Sequence, residues 1–206
     1  MTQPMPTVPQ PVSPASASSP SSPSAPQVTV FGGARVDGDS PLYRQCVELG
    51  RLLGQAGFVV ATGGYTGTME AVLRGAAEAG AHTVGYTCTT FDRGFAPNPY
   101  VREERKTPVL TARIQRLAEE SDAFVVVHGG LGTLAELALV WNMILAEELP
   151  AKPLVVVGPE WPKVINTVYA ETQMGSSALR LLTLVETPEG AVQALAPLVF
   201  TSHAAT

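Results

Sequence analysis

The apolar side chains of this sequence follow two alternating rhythms. Short runs are apolar at nearly every position: Val28-Thr29-Val30-Phe31, Phe58-Val59-Val60-Ala61, Ala123-Phe124-Val125-Val126-Val127 and Pro153-Leu154-Val155-Val156-Val157-Gly158. Runs without a polar residue at every second place read as strands buried on both faces. His82-Thr83-Val84-Gly85-Tyr86 and Leu182-Thr183-Leu184-Val185 read as two further, more mixed strands. Between strands the spacing becomes helical. Leu42, Cys46, Leu49, Leu52 and Leu53 line one side of a helix over 41–57, with Gly57 as its cap. Further helices are predicted over 67–79 with Gly80 as the stop, over 110–120, from Gly132 to Glu148, over 162–174 and over 188–198. Residues 88–106 are polar, with prolines and a glycine, and read as a long connection. Strands alternate with helices throughout. The fold class is therefore α/β, a doubly wound parallel sheet with helices on both faces.

Residues 1–26 stand apart, being rich in Pro, Ser, Ala and Thr and free of charged side chains. Such a tract has too little apolar surface to offset its ordering entropy, and a disordered tail is expected. Residues 27–202 then form a single domain, long enough for a full core. A formal net charge of −5 argues against general nucleic-acid binding, which needs a basic face. Cys46, Cys88, His82, His128 and His203 are scattered without metal-ligand spacing, so neither a metal nor a cofactor is expected. No apolar run approaches the roughly 20 residues of a membrane span. The first residues lack the basic and apolar regions of a secretory signal, and a cytoplasmic protein is the expectation.

The candidate chemistry lies where strands end. Gly32-Gly33 follows the first strand, Gly63-Gly64-Tyr65-Thr66-Gly67-Thr68 the second, and Gly129-Gly130-Leu131-Gly132-Thr133 the strand at 122–127. In a parallel sheet all three turns share one edge, where ligands of such folds bind. A glycine turn leading into a helix aims backbone N–H groups at an anion. None of the three matches the dinucleotide fingerprint or the phosphate-binding loop of nucleotide triphosphatases. Glu136 follows the third turn by less than one helical turn. An anion cradle beside a carboxylate suits chemistry on a phosphorylated sugar.

Residues 128–136, His-Gly-Gly-Leu-Gly-Thr-Leu-Ala-Glu, resemble the P-G-G-x-G-T-x-x-E motif of the LOG family, the cytokinin-activating nucleoside 5′-monophosphate phosphoribohydrolases. Arg113 stands where that family carries an arginine ahead of the strand. Residues 30–36 and 62–71 resemble the family's other loops, and 98–101 a loop of its longer bacterial branch. The similarity runs over nearly the whole chain after residue 27. His128 replaces the family's proline, Ile114 stands where lysine usually follows the arginine, and Tyr65 stands where glycine is common.

The resemblance implies a Rossmann-like sheet, a homodimer, and hydrolysis of the N-glycosidic bond of a nucleoside 5′-monophosphate to free base and ribose 5-phosphate. Glu136 would stabilise the oxocarbenium-like sugar or direct water. Arg113 would orient that carboxylate or bind the ligand. The 5′-phosphate would rest on Gly129, Gly130, Leu131, Gly132 and Thr133. Gly32, Gly33, Gly63, Gly64, Gly67 and Thr68 would approach the sugar or phosphate, and Glu70 the ribose or base. The apolar helix through Leu139, Trp141, Met143 and Ile144 would supply the dimer surface. A second function uses the same cradle without turnover, as a nucleotide sensor or a carrier of molybdenum cofactor. A lysine decarboxylase is rejected: a Schiff-base lysine is required, and Lys106, Lys152 and Lys163 all lie outside the glycine loops. Structural alternatives stay open. Thr133-Leu134-Ala135-Glu136 also spells a capping box, and Glu70 could simply offset a helix dipole.

Overall fold

The computed structural model describes residues 25–203, so all but the end of the expected tail lies outside the described residues. Seven parallel strands form one sheet: β1 Gln27–Phe31, β2 Val59–Thr62, β3 Thr83–Cys88, β4 Glu103–Thr107, β5 Ala123–Val126, β6 Leu154–Val157 and β7 Leu182–Val185. Their spatial order is β4-β3-β2-β1-β5-β6-β7. The helices between them are α1 Pro41–Gln55, α2 Thr68–Glu78, α3 Leu110–Glu120, α4 Leu131–Leu145, α5 Trp161–Glu171, α6 Ser176–Leu179 and α7 Pro188–His203.

The period-two geometry of the strands sorts their side chains into two cores. In β5 and the residue after it, Ala123, Val125 and Val127 join Leu49, Leu53, Val72, Leu73 and Leu195 beneath α1, α2 and α7. Phe124 and Val126 point the other way, to Leu117, Leu137, Val140, Trp141 and Ile165 beneath α3, α4 and α5. Because both faces are covered, the strand is buried throughout, and its sequence shows a continuous apolar run rather than an alternation. Helices α1 and α2 pack backbone to backbone: a methyl group on Gly50 would stand 1.9 Å from the Val72 carbonyl oxygen.

The segment 88–106 differs from the expectation of a simple connection. It holds a short 3-10 turn, Thr89–Phe91, and then β4. The sequence of β4, Glu-Glu-Arg-Lys-Thr, lacks any apolar rhythm because the strand lies at the sheet's edge, where charge guards against unwanted pairing. Its place is set from outside, by register with β3, by the Arg105–Glu120 ion pair to α3 and by the contact between His82 and Glu103. Helix α6 was likewise unforeseen, and α4 stops at Leu145, short of Glu148.

The strand order runs outward in opposite directions from β1 and β5. That reversal opens a crevice at the carboxyl ends of these two neighbours. Gly32-Gly33 and the 128–133 turn both leave the sheet there.

Candidate functional site

The three glycine turns meet and hold one another. The Gly33 N–H donates to the His128 carbonyl at 3.3 Å, and the Thr68 N–H donates to the Gly33 carbonyl at 2.9 Å. The Thr68 hydroxyl adds a second bond to that carbonyl at 3.1 Å. The packing is close enough to demand glycine. A Cβ on Gly32 would fall 2.2 Å from Thr68 Oγ1, and one on Gly129 would fall 2.0 Å from Thr133 Oγ1. Gly67 has φ of 72° and starts α2 without a side-chain cap. Gly64, with φ of 76°, lies against Gly85.

The third turn has a different character. Gly130 is the N-cap of α4 and supplies no side chain to the orphan N–H groups of the first turn. A Cβ on Gly130 or Gly132 would meet nothing within 4 Å, and Leu131 is 83% exposed. These positions are glycine without crowding from the protein, which leaves backbone donors open to an approaching anion. The capping-box alternative fails here. Thr133 is the third residue of the helix instead of its cap, and it is buried against Gly129. Glu136 makes its hydrogen bond elsewhere.

That bond joins two helices. Arg113 Nη2 of α3 donates to Glu136 Oε1 of α4 at 2.7 Å, and both side chains are buried. Burial pushes the Glu136 carboxyl up to about 7, against the pull of the Arg113 guanidinium. Arg113 Nε is buried with no hydrogen-bond partner among the described residues. Gly63 makes room for the guanidinium, since a Cβ there would lie 2.6 Å from Arg113 Nη1. Glu70 is not brought into this pair; it is half-buried, with Tyr43 Oη 3.4 Å from its Oε1. His128 pairs with Glu160, Nδ1 to Oε1 at 2.8 Å. Ile114, beside Arg113, is buried.

With the crevice described, the comparisons decide its family. The SLOG cluster4 family model matches residues 25–178. The chain belongs to that family. A rice protein (Oryza sativa subsp. japonica) named "Probable cytokinin riboside 5'-monophosphate phosphoribohydrolase LOGL2" is 28% identical over 175 residues, covering 82% of this chain and 71% of its own. The pyrimidine/purine nucleotide 5'-monophosphate nucleosidase of Escherichia coli K12 is 28% identical over 166 residues, covering 74% of this chain and 36% of its own. The SLOG chain thus matches about a third of that enzyme. Among solved structures, the molybdenum cofactor carrier protein of Chlamydomonas reinhardtii aligns with a TM-score of 0.64 at 27% identity, covering 85% of this chain and 98% of that one. The resemblance read from residues 128–136 therefore holds at the level of family and fold.

One part of this SLOG site was not anticipated. Phe91 and Phe95 stand with Tyr65 in a cluster of edge-to-face rings, with centroids 5.7 Å apart for Tyr65–Phe91, 5.8 Å for Tyr65–Phe95 and 6.2 Å for Phe91–Phe95. The Arg113 guanidinium lies 5.8 Å from the Phe91 centroid and 6.0 Å from that of Tyr65. The clue in the sequence was a pair of phenylalanines four apart in an otherwise polar stretch. Among the described residues, no group of three or more His, Cys, Asp or Glu is placed to hold a metal, and no helix is long and apolar enough to cross a membrane.

Proposed function

We propose that the protein hydrolyses the N-glycosidic bond of a nucleoside 5′-monophosphate, of the AMP or cytokinin riboside monophosphate type, to free base and ribose 5-phosphate. The observation that carries this reading is the buried Arg113–Glu136 pair one and a half turns inside a helix whose N-terminal donors are uncapped. The phosphate would take the N–H groups of Leu131, Gly132 and Thr133, with the backbone of Gly129 and Gly130 giving it room. As the bond to the base breaks, positive charge grows on C1′ and the ring oxygen. The Glu136 carboxylate stabilises that charge in a site poor in water and then accepts a proton from the water that attacks C1′, while the base, which departs with the bonding electron pair, takes up a proton from solvent. A carboxyl poised near neutral pH suits both roles better than a surface glutamate does. Arg113 aims the carboxylate through its Nη2. Gly32, Gly33, Gly63, Gly64, Gly67 and Thr68 shape the wall on the sugar side. Glu70, in the first turn of α2, would contact the ribose or the base. Such substrates are intracellular metabolites, and we place the protein in the cytoplasm.

The test is release of free base, separated by chromatography, from AMP, GMP, CMP, UMP and prenylated AMP. Glu136→Gln, which keeps the shape of the side chain, is expected to lower the rate by a factor of 1,000 or so, in line with loss of a residue acting on the transition state. Wild-type protein that releases base from none of these would overturn the proposal. A carrier without turnover is the second reading, favoured by the likeness to the Chlamydomonas reinhardtii molybdenum cofactor carrier protein over nearly all of that protein's length. Tight binding with no base release would select it.

The same reading includes a homodimer, through only part of the α4 surface expected together with neighbouring leucines. Trp141, Met143 and Ile144 belong to the chain's own core, and Trp141 Nε1 donates to the Ala178 carbonyl at 2.8 Å. Leu139, the fourth residue expected there, is exposed, and so are Leu131, Leu134 and Leu145. Leu134 and Leu145 border a groove of about 370 Å³ that continues onto α5 at Ile165 and Val168. Sedimentation of the wild type as a dimer and of Leu134→Asp as a monomer is the expected result.

A further inference from the structure

We propose that Phe95, backed by Phe91, is the platform on which the base of the bound nucleotide stacks, so that the arch over 88–98 sets substrate preference. This rests on the reading of Glu136 as the group facing the sugar.

The contacts form a chain. The uncapped start of α4 fixes the phosphate end. Glu136 lies farther along that helix, and Arg113 touches it at 2.7 Å. Phe91 and Tyr65 lie against Arg113, and Phe95 packs on both of those rings. A nucleotide has the same sequence of parts, phosphate, sugar and then a planar base. The base end therefore falls where the rings are.

The rings are held before any ligand arrives. The Tyr65 hydroxyl accepts the Cys88 N–H at 2.9 Å and donates to the Cys88 carbonyl at 3.3 Å. At the other end of the arch, the Asn98 N–H donates to the Gly64 carbonyl and Asn98 Nδ2 to the Tyr65 carbonyl, both at 2.8 Å. Lys106 pairs with Asp92 at 2.8 Å between these anchors. The arch is thus fastened at both ends to the second glycine turn, which itself forms the site wall. Yet Phe95, at its crown, is 49% exposed. Neither neighbour stacks flat on it, the interplanar angles being 60° and 83°, and about half of the residue's surface stays open to an incoming ring. A fixed aromatic face beside a sugar site recognises a heteroaromatic base through stacking, with little sacrifice of side-chain freedom. Stacking tolerates any base but rewards a larger one, so purine nucleotides are expected to bind more tightly than pyrimidine nucleotides.

Titration calorimetry of the full chain with AMP and with ribose 5-phosphate separates the base from the rest of the ligand. For Phe95→Ala, AMP affinity is expected to fall about tenfold, the scale of losing one ring from a stack, with ribose 5-phosphate binding unchanged. Phe95→Trp is expected to restore AMP binding. Phe95→Ala, which gives up two ring contacts, is expected to melt a few degrees below the wild type and Phe95→Trp close to it, both remaining folded at the temperature of the titration. Equal loss for both ligands, or no loss for either, overturns the platform. AMP hydrolysis with unaltered AMP affinity in Phe95→Ala sinks the platform and leaves the hydrolase. AMP binding that depends on Phe95 without any base release sinks the hydrolase and leaves the platform. No AMP binding by the wild type sinks both.

Discussion

Replacing Arg113 by Met tests what the guanidinium does for Glu136, because Met keeps an unbranched apolar chain and removes the charge, the hydrogen bond to Glu136 and the contacts with the Phe91 and Tyr65 rings. In the wild type the Glu136 carboxyl is pushed up from 4.5 to about 7. The native state therefore holds the proton more tightly than the unfolded chain does. Stability from this group is fully present below pH 4.5 and is lost as pH rises through about 7, by about 3 kcal/mol in all at roughly 1.4 kcal/mol per pH unit. A neighbouring positive charge holds a carboxylate down, so losing Arg113 raises the Glu136 carboxyl further and extends the loss of stability to higher pH. The missing hydrogen bond and ring contacts cost about 1–2 kcal/mol at any pH. Arg113→Met is therefore expected to cost about 1–2 kcal/mol at pH 6 and about 1–3 kcal/mol more at pH 9, the scale of one neighbouring charge acting on a carboxyl. Urea unfolding at the two pH values measures the difference. In the Arg113→Met, Glu136→Gln double variant the extra loss at pH 9 should vanish. A cost that is the same at both pH values for the single variant would refute the coupling of this pair.

The same carboxyl governs activity. If its ionised form is the working form, kcat/KM for a nucleoside monophosphate rises with pH and levels above about 7; a profile flat from pH 5 to 9 would remove Glu136 from the reaction. The two neighbouring glycines of the third turn should respond in opposite ways. Gly129→Ala drives a methyl to 2.0 Å from Thr133 Oγ1 and is expected to destabilise the fold by about 1–3 kcal/mol. Gly130→Ala meets nothing and should melt like the wild type, yet bind ribose 5-phosphate several-fold more weakly by calorimetry, its methyl standing at the anion's approach. Gly50→Ala, 1.9 Å from the Val72 carbonyl, forces α1 and α2 apart; denaturant unfolding should show a loss of about 2–3 kcal/mol.

What the sequence by itself determined is whatever neighbouring residues can encode. Strands β1, β2, β5 and β6 were legible because burial on both faces makes four or five consecutive side chains apolar. The parallel sheet followed from their alternation with helices, and the shared edge of the glycine turns followed from the parallel sheet. The 128–136 motif was legible because loop, helix start and carboxylate are contiguous. Tertiary structure decided the rest. The Arg113–Glu136 bond spans 23 residues and two helices, and no local pattern specifies which of several nearby charged groups will be paired and buried. It made Thr133 an internal helix residue where the local sequence allowed a cap. It turned Trp141, Met143 and Ile144 inward and left Leu131 and Leu134 outside, a choice that an all-round apolar helix leaves to its neighbours. It also set β4 at an edge, where charged side chains carry no strand rhythm, and raised Phe91 and Phe95 over Arg113 by fastening both ends of their arch to a turn far away in sequence. Short-range order follows from side-chain periodicity, whereas burial of charge and exposure of aromatic rings depend on which distant surfaces come to lie against them.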